Sequence, residues 1–137
     1  MITKKYLEDL TYNVIGAAIE VHKYIGPGLL ESVYHKCLLK ELMERKIQFQ
    51  SELCVPIDYK GLEVSAELRC DFLIEKALVI EIKAVESIIP IHEAQLFTYM
   101  KLLHVSKGLL LNFNCVNLFK YGQKTFVNDL FRNLPDE

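Results

Sequence analysis

The run 78–85 is the feature of this sequence that most constrains its fold. It reads Leu-Val-Ile-Glu-Ile-Lys-Ala-Val. An almost continuously apolar run of this length is typical of a β-strand that is covered on both faces. Glu81 and Lys83 interrupt the run, and because they are two residues apart they point to the same face of the strand. Charged side chains are almost never buried without a partner or a metal, so the run predicts a buried sheet that carries a charged cluster.

A third charged residue, Asp71, lies in an equally apolar segment just before this run. If the two segments pair as a hairpin, Asp71 and Glu81 converge at one end of the sheet. Adjacent carboxylates repel each other unless they share a cation or a proton. Mg²⁺ binds a few carboxylate and backbone oxygens, so the carbonyl oxygen of Ile82 could serve as a further ligand.

Lys83 admits two interpretations of equal weight. In the first, its ammonium group orients or helps to deprotonate an attacking water, or stabilises charge on a phosphate. In the second, it forms a structural ion pair with Glu81 or Asp71 at a solvated strand end. The spacing of these residues alone does not separate the two.

Composition and charge narrow the class of protein. The chain has 137 residues, 51% of them hydrophobic and 25% charged, which predicts a single globular domain over 1–137. The net charge of −2 provides no broad basic field, so any nucleic-acid contact must come from a local patch. No apolar run approaches the length of a membrane span, and the first residues lack the apolar core of a signal peptide, so a cytoplasmic protein is expected. The four cysteines are scattered without a Cys-x-x-Cys pair, which argues against a zinc site or a disulfide framework.

Periodicity predicts an α/β sandwich around a mixed sheet. The expected order is a helix over 4–25 capped by Thr3, a helix over 29–46, strands over 47–59, 62–75 and 78–85, a helix over 90–104, a strand over 107–113, a further strand over 119–127 and a short helix over 127–133. The helix before the fourth strand allows a crossover that makes the third and fourth strands parallel. The second helix is expected to bury Leu30, Val33, Tyr34, Cys37, Leu38 and Leu42.

Two weaker candidates lie on the predicted helices. Glu31 falls in the first turn of the second helix, where acidic residues are common because of the helix dipole alone. His92, Gln95 and Tyr99 share one face of the third helix and could hydrogen-bond or stack on a nucleotide. Taken by themselves, both are better explained as ordinary helix surface.

The segment Gly28-Leu-Leu-Glu31-Ser-Val-Tyr34 resembles the motif that names the GxxExxY protein family. That family is similar to a branch of the PD-(D/E)xK nuclease superfamily, and the resemblance runs from the first helix to the strand over 107–113. It implies a restriction-endonuclease-like αβββαβ core. Asp71 then matches the first acid of the nuclease motif, with Cys70 in the place of its proline, and Glu81 and Lys83 match its Glu-x-Lys.

The resemblance also gives roles to the weaker candidates. Glu31 matches the additional acid that some members supply from an early helix, and Gln95 and Tyr99 match a Gln-x-x-x-Tyr motif associated with nucleic-acid binding. The expected protein is a Mg²⁺- or Mn²⁺-dependent nuclease that hydrolyses phosphodiester bonds, with DNA as the expected substrate. Its metal ligands are Glu31, Asp71, Glu81 and the Ile82 carbonyl; its catalytic residues are Asp71, Glu81 and Lys83; and its nucleic-acid contacts are Gln95, Tyr99, Arg69 and His92.

Two alternatives stay open at this point. The slight acidity and small size also suit a non-catalytic nucleic-acid-binding or protein-interaction module on the same fold. The charged cluster could equally be a structural ion-pair network without a ligand. A metal-dependent nuclease should be stabilised by a divalent cation, whereas neither alternative requires this, so cation binding distinguishes the nuclease from both. A small nuclease core is further expected, by analogy, to use a second copy of itself to reach both strands of a duplex.

Overall fold

The computed structural model describes residues 1–64 and 68–137. Along the chain, the elements are α1 (Lys4–Ile25), α2 (Glu31–Glu44), β1 (Phe49–Cys54), β2 (Asp58–Tyr59), β3 (Leu62–Glu63), β4 (Arg69–Ile74), β5 (Leu78–Lys83), α3 (Pro90–Leu102), β6 (Lys107–Asn112), α4 (Leu118–Tyr121), β7 (Gln123–Val127) and α5 (Asp129–Arg132).

The first helix begins and ends where the sequence predicts. The Thr3 hydroxyl accepts the Tyr6 N–H at 3.0 Å and so caps the start of α1. Gly26 ends the helix with φ 67°, a left-handed value that glycine adopts without steric penalty. The carbonyl oxygens of Pro135 and Asp136 accept the N–H groups of Lys4 and Lys5, each at 2.9 Å. The C-terminal segment therefore supplies acceptors for the first turn of α1, which has no intrahelical partners for these groups.

The main sheet has the strand order β1-β4-β5-β6-β7. β5 and β6 are parallel and the other neighbouring pairs are antiparallel, which confirms the predicted mixed sheet and the predicted crossover through α3. The strands β2 and β3 form a separate small hairpin. Its turn is Lys60-Gly61, both at positive φ, as the hairpin signal predicts.

Helices cover both faces of the sheet. On one face, α1 and α2 pack on a core that includes Phe72, Ile80 and Ile82. On the other face, α3 packs on a smaller core that includes Val79 and Leu110. β5 is thus buried on both faces, as its apolar run predicts. Because side chains alternate along a strand, Glu81 shares the α3 face with Val79.

Several predicted boundaries are wrong. The strand expected over 47–59 ends at Cys54, and the short β2 follows after Pro56, which cannot donate to a ladder. The strand expected over 62–75 is divided into β3 and β4, and its residues 65–67 lie outside the described part of the chain. α2 begins only at Glu31, and the predicted buried stripe fails at Leu30 and Val33, which are 74% and 36% exposed.

The strand expected over 119–127 is also shorter than predicted. Its first residues form the helical turn α4, because the Asn117 side chain accepts the Lys120 N–H at 3.0 Å and caps that turn. β7 begins only after Gly122.

In the two described ranges, no helix is long and apolar enough to cross a membrane.

Candidate active site

The two central carboxylates meet where β4 and β5 separate. Backbone pairing between these strands extends from Ile74–Leu78 only to Phe72–Ile80. Beyond that point Asp71 Oδ2 accepts the Ile82 N–H at 2.8 Å, and Glu81 Oε1 accepts the Asp71 N–H at 3.3 Å. Each carboxylate therefore takes the place of a ladder acceptor, which brings the two side chains together at this end of the hairpin.

Glu81 is strongly perturbed by its surroundings. The residue is 4% exposed. Burial raises the pKa of its carboxyl well above the ordinary range, and the negative charge of Asp71 raises it further, while nearby Lys83 opposes the shift. Without a cation, this shift favours the protonated form of the Glu81 carboxyl.

Lys83 ends β5 beside this pair and is half-buried. Among the ion pairs between described residues, none involves Lys83, so the structure does not contain the ion pair that the sequence left open. Its backbone is fixed, because the Phe113 N–H donates to the Lys83 carbonyl at 2.9 Å. The ammonium group lowers the pKa of both Glu31 and Glu81 but forms no salt bridge with either among the described residues.

Glu31 approaches the pair from the first turn of α2. Although the residue as a whole is exposed, partial desolvation of its carboxyl raises the pKa, with opposing contributions from Lys83, which lowers it, and Asp71, which raises it. Glu31 is thus within electrostatic reach of both residues. In residues 1–64 and 68–137, however, no three His, Cys, Asp or Glu side chains are close enough to form a ready-made metal cage.

Tyr34 fixes the loop that precedes Glu31. Its buried hydroxyl donates to the Gly26 carbonyl at 2.6 Å and accepts the Leu29 N–H at 3.2 Å. Its ring stacks on Phe113 with the centroids 4.5 Å apart. The tyrosine of the Gly28–Tyr34 motif therefore holds the loop in place, whereas the sequence indicated only that it is buried.

We expect Tyr34→Phe to lower the free energy of unfolding by about 1–2 kcal/mol, since it leaves the Gly26 carbonyl and the Leu29 N–H without their partner. Chemical denaturation measures this change. Tyr12→Phe is the matched control, because Tyr12 is exposed on α1 and should lose nothing measurable. Equal stability of the two variants would contradict this role of Tyr34.

The third helix presents Tyr99 and Gln95 to the same region. Tyr99 is 3% exposed. Burial, and next the negative charge of Glu81, raise the pKa of Tyr99 to about 12, while the polar side chain of Gln95 opposes the shift. Tyr99 therefore keeps its proton and can donate it in a hydrogen bond near the acids.

The other two predicted nucleic-acid contacts, His92 and Arg69, lie at the start of α3 and at the start of β4. The Nδ1 atom of His92 accepts the Ile89 N–H at 3.2 Å and so caps the start of α3. Arg69 is exposed at the start of β4, two residues before Asp71. Of the four predicted contacts, Tyr99 is the one whose pKa responds to the charges of Glu81 and Asp71, and Gln95 acts on Tyr99.

Two residues near the site were missed by the sequence analysis. Asn112 is 7% exposed and holds the segment after β5, with Nδ2 donating to the Val85 carbonyl at 3.0 Å and Oδ1 accepting the Val85 N–H at 3.1 Å. An asparagine at the end of an apolar strand is a signal that could have identified it. The second is His35, whose Nε2 contacts the Asp71 carbonyl oxygen at 3.3 Å. No periodicity distinguishes it from a surface histidine.

The donor set fits a hard divalent cation. Asp71, Glu81 and Glu31 offer only oxygen atoms, which are the ligands that Mg²⁺ and Mn²⁺ prefer. Mg²⁺ commonly uses one or two carboxylates and keeps several waters, so a full protein cage is not required. A cation bound between the carboxylates would offset the repulsion from Asp71 that raises the pKa of Glu81.

The sequence profile of the PD-(D/E)XK nuclease superfamily matches residues 8–125 of this chain. The chain therefore belongs to that superfamily. The match includes both strands that carry the acids, Lys83, and all of α2 and α3.

A solved structure titled "Crystal structure of SSO0001" has a similar fold. It is 23% identical in sequence with a TM-score of 0.52, and the match covers 71% of this chain and 49% of that one. This chain thus corresponds to about half of that structure's length, and the likeness supports the fold alone. A comparison with curated proteins finds no match.

Proposed function

We propose that this domain is a metal-dependent nuclease that hydrolyses phosphodiester bonds in DNA. The observation that carries the proposal is the carboxylate pair of Asp71 and Glu81 at the point where β4 and β5 separate, with Lys83 beside it and outside any described salt bridge. A structural cluster would pair that lysine with an acid, whereas a catalytic one leaves it available to the substrate.

In this proposal Asp71 and Glu81 hold Mg²⁺ or Mn²⁺, with Glu31 and the carbonyl oxygen of Ile82 completing the protein ligands. A bound cation would supply Lewis-acid stabilisation of the phosphate and would activate water as the nucleophile. Glu81 must lose its proton for this role, which is why its burial next to Asp71 matters for binding.

Lys83 orients the attacking water or stabilises charge that develops on the phosphate oxygens. Tyr99 and Gln95 contact the nucleic acid from α3 through a hydroxyl and an amide, and Arg69 and His92 extend this contact along the rim. These contacts form a local patch, as a chain with a net charge of −2 requires.

The finer assignments are part of the same proposal. We propose that the domain spans 1–137, that it belongs to the GxxExxY branch because of its Gly28–Tyr34 motif, and that a second copy of the chain engages the opposite strand of a duplex. A non-catalytic binding module on the same fold is the competing proposal, and cation binding separates the two.

We expect millimolar Mn²⁺ to raise the melting temperature of the wild type and to leave that of Asp71→Asn unchanged. A ligand that binds only the native state stabilises it by about 2.7 kcal/mol at one hundred times its dissociation constant. Differential scanning calorimetry at several Mn²⁺ concentrations measures this effect. Calorimetry is followed by a cleavage screen on plasmid, single-stranded DNA and RNA.

Asp9→Asn is the matched control, because Asp9 is an exposed acid on α1 paired with Lys5 in a surface salt bridge. It should retain the full Mn²⁺ response. If Mn²⁺ shifts neither the wild type nor Asp71→Asn, the nuclease proposal loses its main support and the binding module leads.

A further inference from the structure

His35 connects the helix that carries Glu31 to the strand that carries Asp71. It lies one turn after Glu31 on the same face of α2. Its ring stacks on Phe72, with the centroids 4.4 Å apart and the planes inclined by 14°. Its Nε2 atom lies 3.3 Å from the main-chain oxygen of Asp71 and 3.3 Å from the Ser51 hydroxyl oxygen.

The partners of His35 fix its role as a donor. A carbonyl oxygen can only accept, so Nε2 carries a proton and donates it to Asp71. The Ser51 hydroxyl oxygen is then a second acceptor near the same N–H. Both the neutral Nε2–H tautomer and the imidazolium form can make this bond, so the contact does not depend on a change of charge at the ring.

The Asp71 carbonyl is available to His35 because β1 leaves the ladder at this point. The register pairs Ser51 with Phe72 and Leu53 with Cys70, and among the described strand residues it passes over Asp71. Glu52, which lies opposite, has φ 51°, in the left-handed region that a strand residue does not normally adopt. His35 thus replaces a donor that the neighbouring strand does not supply.

The first turn of α2 lacks a side-chain cap and therefore depends on tertiary contacts for its position. Leu30 occupies the N-cap position and makes no side-chain capping bond. An uncapped first turn frays readily unless tertiary contacts hold it. Glu31 itself is exposed, so its carboxylate has little packing of its own to fix it. One turn further along the same face, His35 links α2 to the strand that carries Asp71.

We propose that His35 is a positioning residue that fixes Glu31 relative to Asp71 and thereby sets the affinity of the site for a divalent cation. This inference rests on the proposed function, since it assumes that Glu31 is a ligand. It assigns no contact between His35 and the cation. Loss of the N–H should therefore weaken binding only while Glu31 is present.

The test is a double-mutant cycle read out by Mn²⁺ titration calorimetry. His35→Phe keeps a flat ring over Phe72 and removes the N–H donor. We expect it to weaken Mn²⁺ binding about 10- to 100-fold, the usual effect of removing an outer-shell partner of a metal ligand. In a Glu31→Gln background the same change should alter affinity less than about threefold, because residues that act as a unit are not additive.

Two further variants guard against a folding defect. His35→Gln places an amide N–H at a similar reach and should recover most of the Mn²⁺ affinity. His35→Asn is shorter, falls short of the Asp71 carbonyl and should behave like His35→Phe, which keeps the test valid if the latter does not fold. His104→Gln, at an exposed histidine, is the matched control and should bind Mn²⁺ like the wild type.

The outcomes separate this inference from the proposed function. If folded His35→Phe binds Mn²⁺ like the wild type, or if its effect adds fully to that of Glu31→Gln, the inference is wrong while the nuclease proposal stands. If the wild type binds no Mn²⁺, both are wrong.

Discussion

Lys83→Ala should lower nuclease activity by about 100- to 10,000-fold, the range expected for loss of one group that acts in proton transfer or charge stabilisation. The side chain is half-buried and forms no described salt bridge, so its removal should change the free energy of unfolding by less than about 1 kcal/mol. Cleavage of plasmid DNA under single-turnover conditions with Mn²⁺ measures the first effect, and urea denaturation measures the second.

The matched control is Lys101→Ala, which removes an exposed lysine from the last turn of α3. It should retain wild-type cleavage. Mn²⁺ binding by Lys83→Ala should also persist, since the carboxylates remain. Cleavage by Lys83→Ala at the wild-type rate would remove this lysine from the mechanism, and a large loss of stability would instead support a structural role.

Glu81→Gln should abolish Mn²⁺ binding and yet make the metal-free protein more stable. The native pKa of Glu81 is raised above its ordinary value of 4.5, because burial and the charge of Asp71 disfavour ionisation. In the unfolded chain the same carboxyl is ionised above about pH 4.5, so folding must take up a proton. The wild type therefore loses stability as the pH rises from that value through the native pKa of Glu81.

The amide of Glu81→Gln has the same shape and no charge, so this loss should be absent. At pH 8 the variant should be more stable than the metal-free wild type by about 2–3 kcal/mol, and near pH 4 the two should converge. Thermal unfolding in a chelator across this pH range measures the difference. Glu86→Gln, at an exposed acid, is the control. Parallel pH profiles for Glu81→Gln and wild type would contradict the raised pKa.

The sequence predicted the elements whose apolar pattern matches the burial found in the structure. The run 78–85 became the doubly covered β5, and the glycine at 26 ended α1 as expected. The crossover rule placed β6 parallel to β5. Burial was misjudged at Leu30 and Val33, because the helix starts later than its apolar pattern suggests and both side chains remain at the surface.

In the candidate site, the sequence predicted where the two acids lie, but it did not predict the side chains that hold the neighbouring backbone in place. The convergence of Asp71 and Glu81 followed from a hairpin and the two-residue period of strands. The contact between His35 and the Asp71 carbonyl did not, because it requires the departure of Glu52 from the ladder, which no local pattern encodes. The clamp of Asn112 on Val85 likewise depends on how two distant segments meet.

The bonds from Lys4 and Lys5 to the carbonyls of Pro135 and Asp136 join the two ends of the described chain. These ends lie near the β4–β5 turn, since Ile2 and Leu134 line one cleft with Lys76, whereas Asp71 and Glu81 occupy the opposite end of that hairpin. The chain ends could therefore be joined, and the chain opened elsewhere, without moving Asp71 or Glu81. We expect a circular permutant, with a short linker between these ends and new ends at the Lys60-Gly61 turn, to keep the carboxylate pair in place.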